Sequence, residues 1–151
     1  EPTIGLDVSM QATLRAFIRR YNEEQGATLM LTSHYMEDVA ALCPRVIVID
    51  HGRIVFDGKL EELVRHVRPD KRVALRLSTE VADDDLRALG AIVEKNPGEV
   101  VLQIPQADVS RAVARALASL PVTDLNVTDP PLEEVMADLF ARGREAKEDG
   151  A

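Results

Sequence analysis

Along residues 9–25 the apolar positions Met10, Leu14, Phe17, Ile18 and Tyr21 return every three or four residues, and Gly26 follows. That spacing puts side chains on one face of an α-helix, and a glycine just beyond it favours a left-handed C-cap, so an amphipathic helix is predicted over Ser9–Gln25. The run Thr28-Leu29-Met30-Leu31-Thr32 is short and apolar, bounded by Gly26 and by Ser33-His34. It has the pattern of a buried strand in a parallel sheet, with His34 at the carboxyl end where open α/β sheets present ligands. A short helix, Met36–Leu42, is expected to turn Met36, Val39 and Ala40 inward and to stop at Pro44. Two β-branched runs, Arg45–Asp50 and Arg53–Asp57, are joined by His51-Gly52, which predicts a tight hairpin. In Lys59–Val67, the residues Leu60, Leu63, Val64 and Val67 mark a further helix with Asp57 or Gly58 near its N-cap.

Apolar periodicity lapses through the basic, proline-containing stretch Arg65–Arg72. This sets a domain boundary, giving residues 1–68 and 69–151. Beyond it the pattern becomes strand (Arg72–Ser78), helix (Asp83–Leu89), strand (Ala91–Lys95), a turn at Asn96-Pro97-Gly98, strand (Glu99–Ile104), helix (Asp108–Leu120) and strand (Val122–Val127). Val73, Leu75 and Leu77 alternate, as do Val100, Leu102 and Ile104, whereas Val109, Val113, Ala116, Leu117 and Leu120 keep helical spacing. The order βαββαβ is that of a ferredoxin-like split unit, a small α+β domain. A last helix begins at Pro130-Pro131, with Asp129 placed to cap it and Leu132, Val135, Met136, Leu139 and Phe140 as its apolar face. The charged tail from Gly143 is expected to fray.

Hydrophobic residues make up 46% of the 151, enough for a packed core. Eighteen basic residues against 26 acidic give a formal net charge of −8, which argues against a nucleic-acid surface, since phosphate backbones need a basic footprint. The one cysteine, Cys43, excludes an internal disulfide and reads as a structural thiol on an apolar helix face. Charges break every apolar run well short of the roughly 20 residues a membrane helix needs, so no direct membrane insertion is expected. Three histidines and one cysteine are too widely spaced for a structural zinc site. Asp83-Asp84-Asp85 and Glu133-Glu134 are most simply helix-start charges. His51 reads as a turn residue and His66 as an exposed helix position.

The candidate chemistry gathers around Glu1-Pro2-Thr3-Ile4-Gly5-Leu6-Asp7 and Thr32-Ser33-His34. A carboxylate, a second acid six positions on and a histidine after an apolar run suit the activation of water beside a phosphate. Each has a plainer reading: a solvated terminal glutamate, an N-cap at Asp7, and a histidine that satisfies backbone groups. Taken together with Asp50-His51-Gly52-Arg53 and Phe56-Asp57-Gly58, these segments resemble, in order and spacing, the C-terminal half of an ABC transporter ATP-binding subunit. The resemblance covers residues 1–68.

That resemblance implies a partial P-loop-NTPase-type sheet in residues 1–68, so the chain is expected to be α/β, with the small ferredoxin-like domain and the terminal helix read above from periodicity following it. It implies that Glu1 closes the Walker B strand and polarises the attacking water, that Gly5-Leu6-Asp7 falls in the D-loop, and that His34 is the H-loop histidine facing the γ-phosphate. Glu1 and His34 would then be catalytic, with Gly5, Asp7 and Ser33 at the cofactor, ATP with Mg²⁺. The implied partners are a membrane-embedded transporter subunit and a second ATP-binding subunit, on the cytoplasmic face of the membrane. Pro131-Leu132-Glu133-Glu134-Val135-Met136 resembles the tail of the exporter branch. Nothing in the 151 residues matches GxxxxGK[ST], whose backbone N–H groups cradle phosphates. The Walker A, Q-loop and signature segments and the Walker B aspartate are expected upstream of Glu1, and this chain by itself is expected not to hydrolyse ATP. Two rival readings are an autonomous regulatory or dimerisation module built on the second domain, and a structural remnant without activity.

Overall fold

The computed structural model of the chain describes residues 1–148, and the side chains of residues 1–142. Two compact units result, Val64–Pro131 and a second made of Glu1–Leu63 with the chain from Leu132 onward.

In the unit that begins at Glu1, helix α1 (Val8–Gln25) starts at a cap: the Asp7 carboxylate accepts the Met10 N–H at 2.9 Å. It ends at Gly26, whose φ of 60° is the left-handed cap its sequence called for. Its apolar stripe is open, with no residue of α1 buried and Met10, Phe17 and Tyr21 exposed. Residues 28–32 do not form the expected strand, and Leu29 and Met30 are exposed. A parallel strand exists only against neighbours that take its N–H and C=O groups, and among the described residues no strand pairs with this segment. Among the described residues the parallel part of a P-loop-NTPase-type sheet is therefore not seen.

Helix α2 (Met36–Leu42) has the expected bounds but a different inner face, since Ala40 is exposed and Asp38 is the buried residue. Cys43 stands at its C-cap rather than within the helix, half-buried, its N–H donating to the Val39 carbonyl at 2.9 Å. Strands β1 (Arg45–Asp50) and β2 (Arg53–Lys59) form the antiparallel hairpin. His51 and Gly52 have φ of 46° and 73°, the doubly positive pair whose twist matches a hairpin. β2 runs two residues beyond the expected end and α3 (Leu60–Val67) follows at once, so Asp57 and Gly58 lie in the strand and not at a cap. Asp57 instead accepts two bonds from Arg45, each 2.9 Å.

The unit Val64–Pro131 carries β3 (Asp70–Leu77), α4 (Asp83–Arg87), β4 (Ala91–Asn96), β5 (Glu99–Pro105), a 3₁₀ turn at Gln106–Asp108, α5 (Val109–Ser119) and β6 (Val122–Thr128). The four strands make one sheet in the order β4-β5-β3-β6, each neighbouring pair antiparallel. Register aligns Val73 with Leu102 and Val127, and Leu75 with Val100 and Leu125, stacking one apolar face. Leu86, Leu89, Ala112 and Ala116 complete a buried core over that face. The molecule is thus mixed α/β, with antiparallel sheets and helices.

Helix α6 (Leu132–Glu148) packs beside α2, in the unit that begins at Glu1, which differs from the expected grouping of residues 69–151. An apolar helical stripe needs a partner surface, and nearness in sequence does not choose that surface. The helix continues through the charged residues 143–148, where fraying was expected, and residues 149–151 lie outside the described part.

Candidate functional site

The turn at Pro2–Gly5 brings Glu1 to the segment that ends in His34. Gly5 has φ of 75°, and the Leu6 N–H donates to the Thr3 carbonyl at 3.2 Å, so the chain reverses before α1. The α-ammonium of Glu1 donates to the Thr32 carbonyl at 2.8 Å, and the Glu1 carboxylate pairs with Nδ1 of His34. Both side chains reach solvent, with relative exposures of 32% for Glu1 and 74% for His34. The His34 ring leans on Tyr35, centroids 4.9 Å apart. Ser33 Oγ accepts the Tyr35 N–H at 3.0 Å, which shapes the entry to α2.

The sequence-derived candidates therefore separate into two groups. Glu1 and His34 meet; a carboxylate beside an imidazole, open to solvent, can orient a water and take its proton. Asp7 is occupied at the first turn of α1, Gly5 shapes the turn, and Ser33 is committed through its lone pair to the backbone of Tyr35. Among the described residues no group of three or more histidine, cysteine or acidic side chains converges to hold a metal. Among them, too, no helix is long and apolar enough to cross a membrane.

Sequence reasoning missed the polar cluster behind this pair. Asp38 is fully buried; its Oδ2 accepts from Thr3 Oγ1 at 2.6 Å and its Oδ1 from Arg15 Nε at 2.7 Å. Arg15 also reaches Glu37 at 3.2 Å, and Arg19 donates to the Ala41 carbonyl at 2.7 Å, tying α1 to α2. Burial pushes the Asp38 carboxyl up, but the bonds from Thr3 and Arg15 and the charge of Arg15 outweigh it and hold the group below its usual range. The hydrogen bond to Asp38 in turn raises Arg15. Burial, and then the nearby Asp38 charge, push the Cys43 thiol up. One signal in the sequence pointed this way: Arg15 sits between Leu14 and Ile18 on the apolar side of α1, where a charge calls for a partner.

Residues 69–128 match a family described as EvrA-like ABC transporter, C-terminal domain. The linearmycin resistance ATP-binding protein LnrL of Bacillus subtilis (strain 168) is 30% identical over 154 residues, taking in 94% of this chain. The chain is related to the C-terminal part of ABC transporter ATP-binding proteins. Shorter matches agree: the ABC transporter ATP-binding protein NatA of the same organism is 41% identical over 70 residues, 46% of this chain. The energy-coupling factor transporter ATP-binding protein EcfA2 of Clostridium perfringens is 43% identical over 75 residues, 50% of this chain. The matches span 48% of LnrL, 28% of NatA and 26% of EcfA2, so the chain covers half or less of each ABC relative.

Proposed function

We propose that the chain supplies the second half of an ATP-hydrolysing subunit of an ABC transporter, of the exporter branch, with Glu1 as the residue that polarises the attacking water and His34 as its γ-phosphate-facing partner. The observation that carries this reading is the pairing of Glu1 with His34, in a chain whose relatives are ABC transporter ATP-binding proteins. Phosphoryl transfer asks a protein mainly for positioning and charge stabilisation, and a fixed carboxylate beside an imidazole provides the first. ATP with Mg²⁺ supplies the phosphoryl group and its neutralising charge. The exposed Glu1 and His34 suit the terminal phosphate and its water, with Ser33 and the Gly5–Asp7 turn next to them in sequence; the other phosphates call for a GxxxxGK[ST] loop that these 151 residues do not contain. The reading extends to a membrane-embedded partner, a second ATP-binding subunit across the D-loop, and a place on the cytoplasmic face of the membrane.

The test is the sequence of the encoding gene upstream of Glu1, followed by an assay of its product. An aspartate directly before Glu1, an LSGGQ-like segment and a GxxxxGK[ST] loop further back are expected, with ATP hydrolysis that Glu1→Gln abolishes. A gene without those segments overturns the reading.

The second unit supports a narrower proposal of its own. Its elements run βαββαβ and its sheet order β4-β5-β3-β6 favours a ferredoxin-like split unit with a core closed on itself. In this reading the unit is a regulatory or dimerisation module, a role resting on fold analogy. The native mass of residues 64–131 tests it, and a strict monomer removes the dimerisation role.

A further inference from the structure

The geometry points to Asp38 as a positioning residue that, through Thr3, holds Glu1 against His34. Its purpose rests on the function proposed above, but the clamp is a property of this chain and is testable without nucleotide.

Three segments meet at one carboxylate. Thr3 lies two residues after Glu1, Arg15 is on α1, and Asp38 lies four residues after His34 on the helix that begins at Met36. One oxygen takes the Thr3 hydroxyl at 2.6 Å and the other takes Arg15 Nε at 2.7 Å. Both Thr3 and Asp38 are wholly buried. A carboxylate out of water is costly unless its lone pairs are filled, so moving Thr3 away leaves a buried charge short of a donor. The seated position of Thr3 is therefore favoured over one that leaves the carboxylate short of a donor. Seating Thr3 fixes the turn that carries Glu1 to the helix that follows His34. Arg15 balances the charge and, with the Arg19 bond to Ala41, keeps α1 and α2 from sliding. Neither Asp38 nor Thr3 hydrogen-bonds to the Glu1 carboxylate or the His34 ring, so their action on that pair is through geometry.

The experiment follows the ring nitrogen signals of His34, His51 and His66 by NMR in the 151-residue chain labelled with ¹⁵N-histidine. Glu1→Gln removes the charge beside His34 and is expected to move the His34 signals alone. In a Thr3→Val background the same Glu1→Gln step is expected to move the His34 signals less, because only the bond from the Glu1 ammonium to the Thr32 carbonyl then holds the pair together. Thr3→Ser keeps the hydroxyl and is expected to keep the response. An undiminished response with Thr3→Val overturns the proposal. Should Thr3→Val also erase the amide signals of α1 and α2, Thr3→Ser decides: a retained response supports the clamp and a lost one overturns it. An inactive product of a longer gene would sink the ATPase reading while leaving this measurement unchanged, so the two failures are distinguishable.

Discussion

At Asp38 a single buried charge makes stability depend on pH in a defined direction. Its native carboxyl releases its proton more readily than the same group in the unfolded chain, which titrates at about 3.9. As pH falls, the unfolded chain therefore takes up the proton first. The contribution of Asp38 is full above about pH 5 and drains away as pH drops through the native value. Thermal unfolding followed by circular dichroism should show the wild-type chain losing more stability than Asp38→Asn between about pH 5 and about pH 3. At neutral pH the same substitution should destabilise by about 1–3 kcal/mol, the range for disturbing a buried hydrogen-bonded group. Cys43 gives a companion test: its raised thiol should alkylate more slowly than a free thiol at about pH 7, and Asp38→Asn should quicken it. Glu1 and His34 could be named as candidates because they sit in a recognisable run of residues. Asp38 could not, because beside Glu37 at a helix start it looks like any acid that answers the helix dipole.

Among the elements, legibility follows how local the determining contacts are. The hairpin was plain from His51-Gly52, and the βαββαβ order from alternation and helical spacing, since each is set within a few residues. The run 28–32 misled because an apolar pentapeptide becomes a strand only when another strand lies beside it, and no local pattern reports that. Its amides should exchange with solvent far faster than those of β3 and β5, a contrast that hydrogen-exchange mass spectrometry resolves. The close approach of Gly90 to β5 was equally invisible. A β-carbon there would lie 2.6 Å from Ile104 Cγ1 and 2.7 Å from the Gln103 carbonyl oxygen, and backbone cannot swing aside as a side-chain tip can. Gly90→Ala should cost about 1–3 kcal/mol in urea unfolding, as overpacking does elsewhere. A wild-type midpoint would show that α4 and β5 have room to part.

For the whole molecule, the apolar surface left open decides how the chain behaves in solution. The inward side of β1 is served by Val48, at 7% exposure, yet Ile47 and Ile49 on its other side stand 52% and 62% exposed, with Ile54, 64% exposed, opposite Ile49. A strand apolar on both sides has the composition of one covered on both sides. The −8 net charge works against association, but its reach is short: at 0.15 M salt, repulsion is screened within about 8 Å. Contact between apolar side chains is not weakened by that screening. Sedimentation should therefore show reversible self-association that grows with protein concentration and with added salt. Ile49→Lys should reduce it by placing a charge in the exposed patch, while leaving the β3–β6 sheet, which lies in the other compact unit, as protected as before. A chain that stays monomeric at high concentration and high salt would mean that these isoleucines, although exposed, do not form a surface on which a second copy can settle.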